Sequence, residues 1–226
     1  EARLLILNRQ SGAVEHRSFG ELGDYLQSRD ALVLNESRVI PARFYLRRGT
    51  GGRIQALFLN LTPAGAWQVL LKNAHHLGAG EMLTLIENPG PAQNVRGAFS
   101  FTLGDHTGEG HFVLQPEFDA GHQEILGRVG KTPLPPYIKR SADEPDDPVD
   151  RCRYQTVYAQ KEGSVAAPTA GLHFTDEMLQ ELRRRGVRIA RLTLHVGIGT
   201  FRPVSTDTLE AHTMHAESYY LDRTSA

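Results

Sequence analysis

The chain is poor in cysteine. Cys152 is the single one in 226 residues, which excludes a disulfide framework and a four-cysteine zinc site and fits a reducing cytoplasm. It has no excess of either charge, because 25 Lys+Arg stand against 26 Asp+Glu for a net charge of -1. That balance excludes a polybasic, histone-like protein and leaves a local basic face open. No apolar run approaches the roughly 18–20 residues that cross a bilayer, and no basic-then-apolar leader opens the chain. With 40% hydrophobic and 23% charged residues, the composition is that of a soluble globular protein rather than a disordered one. Punctuation is abundant: 22 Gly and 12 Pro favour many short elements over a few long helices. At about 150 residues per domain, the length fits one large unit or two modest ones.

The first stretch reads as alternating α and β. Leu4-Leu5-Ile6-Leu7 is a short buried strand, Asn8 to Gly12 is turn chemistry, and Ala13 to Arg17 returns as a hairpin partner. Ser18 is the expected N-cap of a helix with Phe19, Leu22 and Leu26 on one face. Ala31 to Leu34 is the next buried strand, ending in the polar loop Asn35-Glu36-Ser37-Arg38. From about Ala42 the texture changes to short alternating runs: Arg53 to Leu61, Trp67 to Leu71, Met82 to Ile86, Ala98 to Leu103 and His111 to Leu114. Turn signals, among them Gly104 to Gly110, separate these runs every 8–15 residues or so and predict a small antiparallel barrel or sandwich. This module is placed at residues 44–118, inserted within the α/β part.

Lys131 to Ile138 reads as a proline-stiffened connector, and Ser141 to Arg151, with five acids and two prolines, as a solvated loop. Ser164 to Ala167 is a short strand. Thr175 then caps a helix whose first turn is acidic (Asp176, Glu177) and whose last is basic (Arg183, Arg184, Arg185), with Gly186 at its stop. Val187 to Val196 follows as a long strand. A strand-helix-strand unit of this kind predicts parallel pairing in one sheet, with both following loops at one edge. Those loops are Pro168-Thr169-Ala170-Gly171-Leu172-His173 and Gly197-Ile198-Gly199-Thr200. Ligands of open α/β sheets bind at that edge, and the free N–H groups of the helix start at Thr175 suit a carboxylate or phosphate.

His173 ends the first loop and His195 lies near the end of the second strand. Each reads equally as a satisfied structural histidine or as a general acid/base. Gly197-Ile198-Gly199 lacks the third glycine of a dinucleotide fingerprint, and Phe201-Arg202-Pro203 does not open a helix, so the Rossmann reading is rejected. His212, His215 and Glu217 have spacings compatible with a divalent metal, with substrate contact or with a proton shuttle. His75-His76 lies among turns and is most simply exposed. Arg47-Arg48, Lys139-Arg140 and Arg183 to Arg185 are solvated dipole partners or phosphate contacts, which leaves nucleic-acid binding an open question on composition alone.

Several stretches in order along nearly the whole chain carry a resemblance. They are Ala31 to Arg43 (ALVLNESRVIPAR), Thr132 to Arg140 (TPLPPYIKR), Arg153 to Ala159 (RYQTVYA), Gly163 to Thr175 (GSVAAPTAGLHFT), Thr193 to Val204 (TLHVGIGTFRPV) and Met214 to Glu217 (MHAE). Together they resemble the QueA family, the S-adenosylmethionine:tRNA ribosyltransferase-isomerases of queuosine biosynthesis.

The resemblance implies an α/β sheet domain with an inserted small antiparallel β-barrel. Residues 1–43 and 119–226 would form the α/β catalytic domain, incomplete at its C-terminal end, around the barrel at 44–118. It implies transfer and isomerisation of the ribosyl moiety of S-adenosylmethionine onto 7-aminomethyl-7-deazaguanine at the tRNA wobble position. The product is epoxyqueuosine-tRNA, and adenine and methionine leave. S-adenosylmethionine is then a consumed substrate, with no cofactor and no metal required, and tRNA is the partner. Such chemistry needs a base near the carbon beside the sulfonium, an acid for adenine, and a pocket for the methionine carboxylate. On this reading His173 and His195 transfer protons, His215 and Glu217 share the catalytic pocket, and Arg202 lines it. Thr169, Ala170, Gly171 and Thr175 lie near the carboxylate with Gly197, Gly199 and Thr200, while Glu36 and Arg38 approach from the other strand edge. Family members extend beyond both ends of this chain, so residues that complete the pocket and the tRNA surface would lie outside it, and uncovered apolar surface would favour oligomers. A metal-dependent hydrolase using His173, His195, His212 and His215, or an inactive binding fragment of the transferase, are the alternative readings.

Overall fold

A two-stranded hairpin opens the chain, β1 (Arg3–Leu7) with β2 (Val14–Ser18), in unbroken register from Arg3–Ser18 to Leu7–Val14. The computed structural model of the chain describes residues 2–74, 76–87, 99–108, 110–141, 144–197, 199, 206–208, 210–211 and 216–225. The Asn8 side chain builds the hairpin turn by accepting from the N–H groups of Gln10 and Ser11. Leu5 and Leu7 are exposed, so the first strand is not the buried one its apolar run predicts; a two-stranded ribbon covers only one face. Phe19–Tyr25 coils as a 3-10 helix rather than an α-helix, with Gly20 and Gly23 inside it where helix propensity is lowest. Glu21 accepts a 2.7 Å bond from the Ser18 N–H and fixes its start.

The next strand serves two sheets. β3 (Ala31–Asn35) and β4 (Ser37–Val39) form one run broken at Glu36, where a polar loop is expected from sequence. The Glu36 N–H donates to the Leu192 carbonyl, and its carbonyl accepts from the N–H groups of Gln160 and Lys161. One residue therefore passes the strand from one neighbour to another.

Six strands then close on themselves: β5 (Arg43–Arg48), β6 (Arg53–Leu61), β7 (Trp67–Lys72), β8 (Met82–Leu85), β9 (Ser100–Gly108) and β10 (His111–Pro116). Their antiparallel order around the barrel is β10-β7-β6-β5-β8-β9. Alternate side chains fill the interior, with Phe44, Leu46, Ile54, Trp67, Val69, Leu83, Phe101 and Leu114 all buried. Trp67 meets Phe44, Phe58 and Phe101 at ring distances of 5.0–5.6 Å, steeply inclined to each. β9 continues as strand from Gly104 to Gly108, within the stretch read as a turn. A Cβ at Gly104 would stand 3.2 Å from the Val113 carbonyl oxygen, so glycine there marks a close strand approach.

α1 (His122–Val129), absent from the sequence reading, adds Ile125, Leu126 and Val129 to the barrel core. The connector after it is buried from residue 131 to 135 rather than laid on the surface. The acidic segment is largely exposed where it is described, as expected, but three of its acids are tied down, Asp150 by pairing with Arg140. Asp146 accepts from the Thr132 N–H and hydroxyl and pairs with Arg151, while Asp147 caps α2 (Pro148–Arg153) by accepting from the Val149 N–H. No helix among the described residues is long and apolar enough to cross a membrane.

β11 (Lys161–Ser164), α3 (Asp176–Arg184) and β12 (Arg188–Leu194) follow the expected order of strand, helix and strand, but the first strand ends at Ser164, where it was expected to begin, and the two strands are not sheet neighbours. β11 lies parallel to β4 and β12 parallel to β3, the two halves of the same broken run. β13 (Tyr219–Leu221) adds antiparallel to β12. Thr175 caps α3 by accepting from the Met178 N–H at 3.2 Å, and Leu179 and Leu182 pack on Leu34, Phe174 and the 3-10 helix residues Phe19, Leu22 and Leu26.

Candidate active site

The ends of β11 and β12 meet although the strands do not pair. The Ser164 hydroxyl accepts from the Val196 N–H at 3.1 Å and donates to the Ala166 carbonyl at 2.7 Å, and the Val165 N–H donates to the Val196 carbonyl. Asn35 grips the same end of β12: its amide donates to the Leu194 carbonyl and accepts from the Leu194 N–H, both at 2.9 Å. His195 therefore leaves β12 from a doubly anchored position. Its own N–H donates to the Ser218 carbonyl at 3.0 Å. Glu217 accepts a 2.7 Å bond from the Gly197 N–H, tying Gly197 to residues 216–218.

This corner faces the outer wall of the barrel. Between them lies a cavity of about 760 Å³, a volume proper to a small-molecule site. Arg38, His195, Gly197, Gly199 and Glu217 line it from the α/β side, and Phe58, Gln68, His111 and His122 from the barrel and α1. A bulge in β6 between Phe58 and Asn60 shapes the barrel wall at this point. Gln155 secures the rim at β4: its amide donates to the Val39 carbonyl at 2.7 Å and accepts from the Val39 N–H at 3.0 Å. Arg38, one residue before, is exposed and meets no acidic side chain among the described residues. The His122 ring stacks on Phe58 at 5.2 Å, and burial holds its pKa below the ordinary histidine value.

The His195 ring lies over the backbone of Gly163. Nδ1 is closed off there without a hydrogen-bond partner, which leaves Nε2 as the ring nitrogen open to the cavity. Gly163 has φ 137°, a conformation suited to glycine, and any side chain on it would strike the imidazole.

His173 is elsewhere. It is exposed in a second groove of about 650 Å³ between the 3-10 helix and α3, its ring 5.3 Å from that of Phe19. The two cavities share no lining residue among those described, so the expected pairing of His173 with His195 in one pocket is not formed. The loops leave one corner, since Ser164 and Val165 bond to Val196, but the chain beyond Val165 runs on to the 3-10 turn Thr169–His173 beside Phe19, and that carries His173 into the other groove. Thr175 lines the His173 groove. The helix start there is already served by the chain itself, because Glu177 accepts from its own N–H and from the Thr175 hydroxyl, which holds its carboxyl below the usual range. Gly171 is buried, and a Cβ on it would overlap the Tyr158 hydroxyl, so it is a packing glycine and not a ligand approach. Thr169 and Ala170 are exposed on the 3-10 turn Thr169–His173 and line neither cavity. Glu36 turns to Arg191 (3.5 Å) and lies outside the cavity lining. Thr200, Arg202, His212 and His215 lie outside the described residues. Among the described residues, no three of His, Cys, Asp and Glu stand together as metal ligands.

Gly163, Gln155, His111 and His122 were not among the candidates from sequence. Gly163 and Gln155 stand inside two of the motif stretches, and a glycine at the foot of GSVAAP was the available signal. His122 sits in a helix that went unread.

The fold and the cavity together define an α/β protein with a closed six-stranded barrel and a cavity of small-molecule size between the two parts. The chain matches the queuosine biosynthesis protein family over residues 1–226, and it belongs to that family. It is 45% identical over 227 residues to a protein of Staphylococcus saprophyticus named S-adenosylmethionine:tRNA ribosyltransferase-isomerase, and 42% identical to one of the same name from Staphylococcus haemolyticus. In each case all of this chain is covered, and it spans 62% of the relative's length. A crystal structure of S-adenosylmethionine tRNA ribosyltransferase from Thermotoga maritima is 27% identical, with a TM-score of 0.31, over 86% of this chain and 50% of that one.

Proposed function

We propose that the cavity at His195 takes S-adenosylmethionine, and that the chain supplies a major part of an enzyme that transfers and isomerises its ribosyl moiety onto 7-aminomethyl-7-deazaguanine in tRNA. Epoxyqueuosine-tRNA is the product, adenine and methionine are released, and the reaction belongs to the cytoplasm. The observation that carries this reading is the convergence of Arg38, His195, Gly197, Gly199 and Glu217 on one cavity, in a chain of this family.

Each group has work that suits its place. The sulfonium acidifies the protons of the neighbouring ribosyl carbon, and His195 Nε2 is the base open to the cavity. Gly163 holds the ring flat by giving it no side chain to avoid. Arg38, an unpaired cation on the rim, receives the methionine carboxylate. Glu217 holds Gly197 in place, and Gly197 and Gly199, having no side chains, let the ligand come close to the backbone. The half-buried His122 ring of α1, stacked on the buried Phe58, offers a flat face to a heterocyclic base.

Incubation of the chain with S-adenosylmethionine and precursor tRNA tests this, with free adenine as the readout. We expect adenine from the wild-type chain and a rate lower by about 10²-fold or more in His195→Ala. No adenine from the wild-type chain, or an undiminished rate in the variant, refutes the reading.

A further inference from the structure

β5, β6 and β7 carry Arg43, Arg47, Arg48, Arg53 and Lys72 and no aspartate or glutamate, in a chain whose net charge is -1. Phe44, Leu46, Ile54, Ala56, Val69 and Leu71 point into the barrel, so the alternate residues Arg47, Arg53 and Lys72 stand on its outer face. Arg47 lies directly opposite Arg53, and Lys72, opposite Gln55, is diagonal to Arg53. Like charges placed across a sheet destabilise it. Arg48, at the opposite parity, is neutralised by Glu81 through bonds of 2.6 and 2.8 Å. Arg47 and Lys72 meet no acidic side chain among the described residues. The Arg53 guanidinium lies 4.2 Å from the centre of the Tyr45 ring. The hairpin tip beside these cations is open, with nothing within 4 Å of a Cβ at Gly49 or Gly51. β6 runs from Arg53 in this stripe to Asn60 at the cavity, on the order of 23 Å at about 3.3 Å per residue.

We propose that this outer barrel face is a docking surface for the phosphate backbone of RNA, whose charge complements the cations the strands present; the proposal rests on reading the chain as part of a tRNA-modifying enzyme. Phosphate contacts of this kind position a nucleic acid and make its binding salt-dependent. The stripe holds the body of the RNA while a modified base reaches the cavity at the far end of β6.

The test is binding of a labelled tRNA transcript to the 226-residue chain by fluorescence anisotropy across a salt series. The variants are Arg47→Ala, Lys72→Ala and the double variant, with Arg184→Ala on α3 as the distant control. Each single substitution on the barrel is expected to weaken binding roughly three- to tenfold and to lower the salt slope by about one, with the control unchanged. Trp67 fluorescence during unfolding confirms that the barrel is intact in each variant. Unchanged affinity and slope in the folded double variant, an equal loss in Arg184→Ala, or no tRNA binding by the wild-type chain overturns the proposal. Adenine release is read separately, so its absence beside intact, stripe-dependent RNA binding refutes the cavity reading and leaves the surface standing.

Discussion

The imidazole of His195 lies over the α-carbon of Gly163, so that a methyl group on residue 163 would stand 2.8 Å from Cε1 and 2.9 Å from Nδ1. The two residues come from strands that do not pair, and their contact sets both the orientation of the ring and the shape of the cavity wall. Gly163→Ala must both strain the backbone at φ 137° and push the imidazole aside. We expect a loss of about 1–3 kcal/mol in stability, measured by denaturant unfolding with Trp67 fluorescence. Adenine release should fall further than that loss accounts for. Unchanged stability together with unchanged turnover contradicts the contact.

Gly171 makes a different kind of close approach. It is packed under the hydroxyl of Tyr158, which itself belongs to the cluster of Leu34, Phe174 and Leu179. Gly171→Ala overpacks this site and should cost about 1–3 kcal/mol. Tyr158→Phe removes the oxygen in the way, so the double variant should recover part of the loss. A strictly additive cycle denies the approach.

The barrel was readable because its inner and outer residues alternate strand after strand, and Arg53–Leu61 shows the period without interruption up to Phe58. The Thr175 cap and the charge order of α3 were readable for an equally local reason: a helix end is satisfied by residues within a turn of it. What sequence could not show is which strands become neighbours. Glu36 sits in a polar loop by composition, yet its backbone hands one strand from β12 to β11, and the chain beyond β11 then carries His173 to the groove beside α3, away from His195. The acids after Ser141 look solvated until the buried Thr132 supplies a partner, and Thr132 is distant enough in sequence that no local pattern reveals it.

Asp146 is consequently structural. It receives the Thr132 N–H at 2.7 Å and binds Arg151 at 2.8 Å. Asp146→Ala leaves the buried Thr132 N–H without its acceptor, and a cost of about 1–3 kcal/mol is expected in thermal unfolding. A variant as stable as the wild type would return the segment to the status of a solvated loop.

His122 gives the stability a pH dependence of definite sign. Burial against Phe58 holds its folded-state pKa below the ordinary value of 6.5. The unfolded chain therefore binds this proton first, so the contribution is fully present above pH 6.5 and is lost as the pH falls through the lower folded-state value. His122→Phe should flatten this part of the stability profile on the acid side. An identical profile in wild type and variant contradicts the assignment.

Titration of S-adenosylmethionine into the wild-type chain, Arg38→Ala and His173→Ala by calorimetry separates the two cavities most directly. Ligand binding at the His195 cavity predicts an affinity lowered about tenfold or more in Arg38→Ala and unchanged in His173→Ala. Normal binding by Arg38→Ala with loss in His173→Ala would move the site to the groove beside α3 and contradict the account.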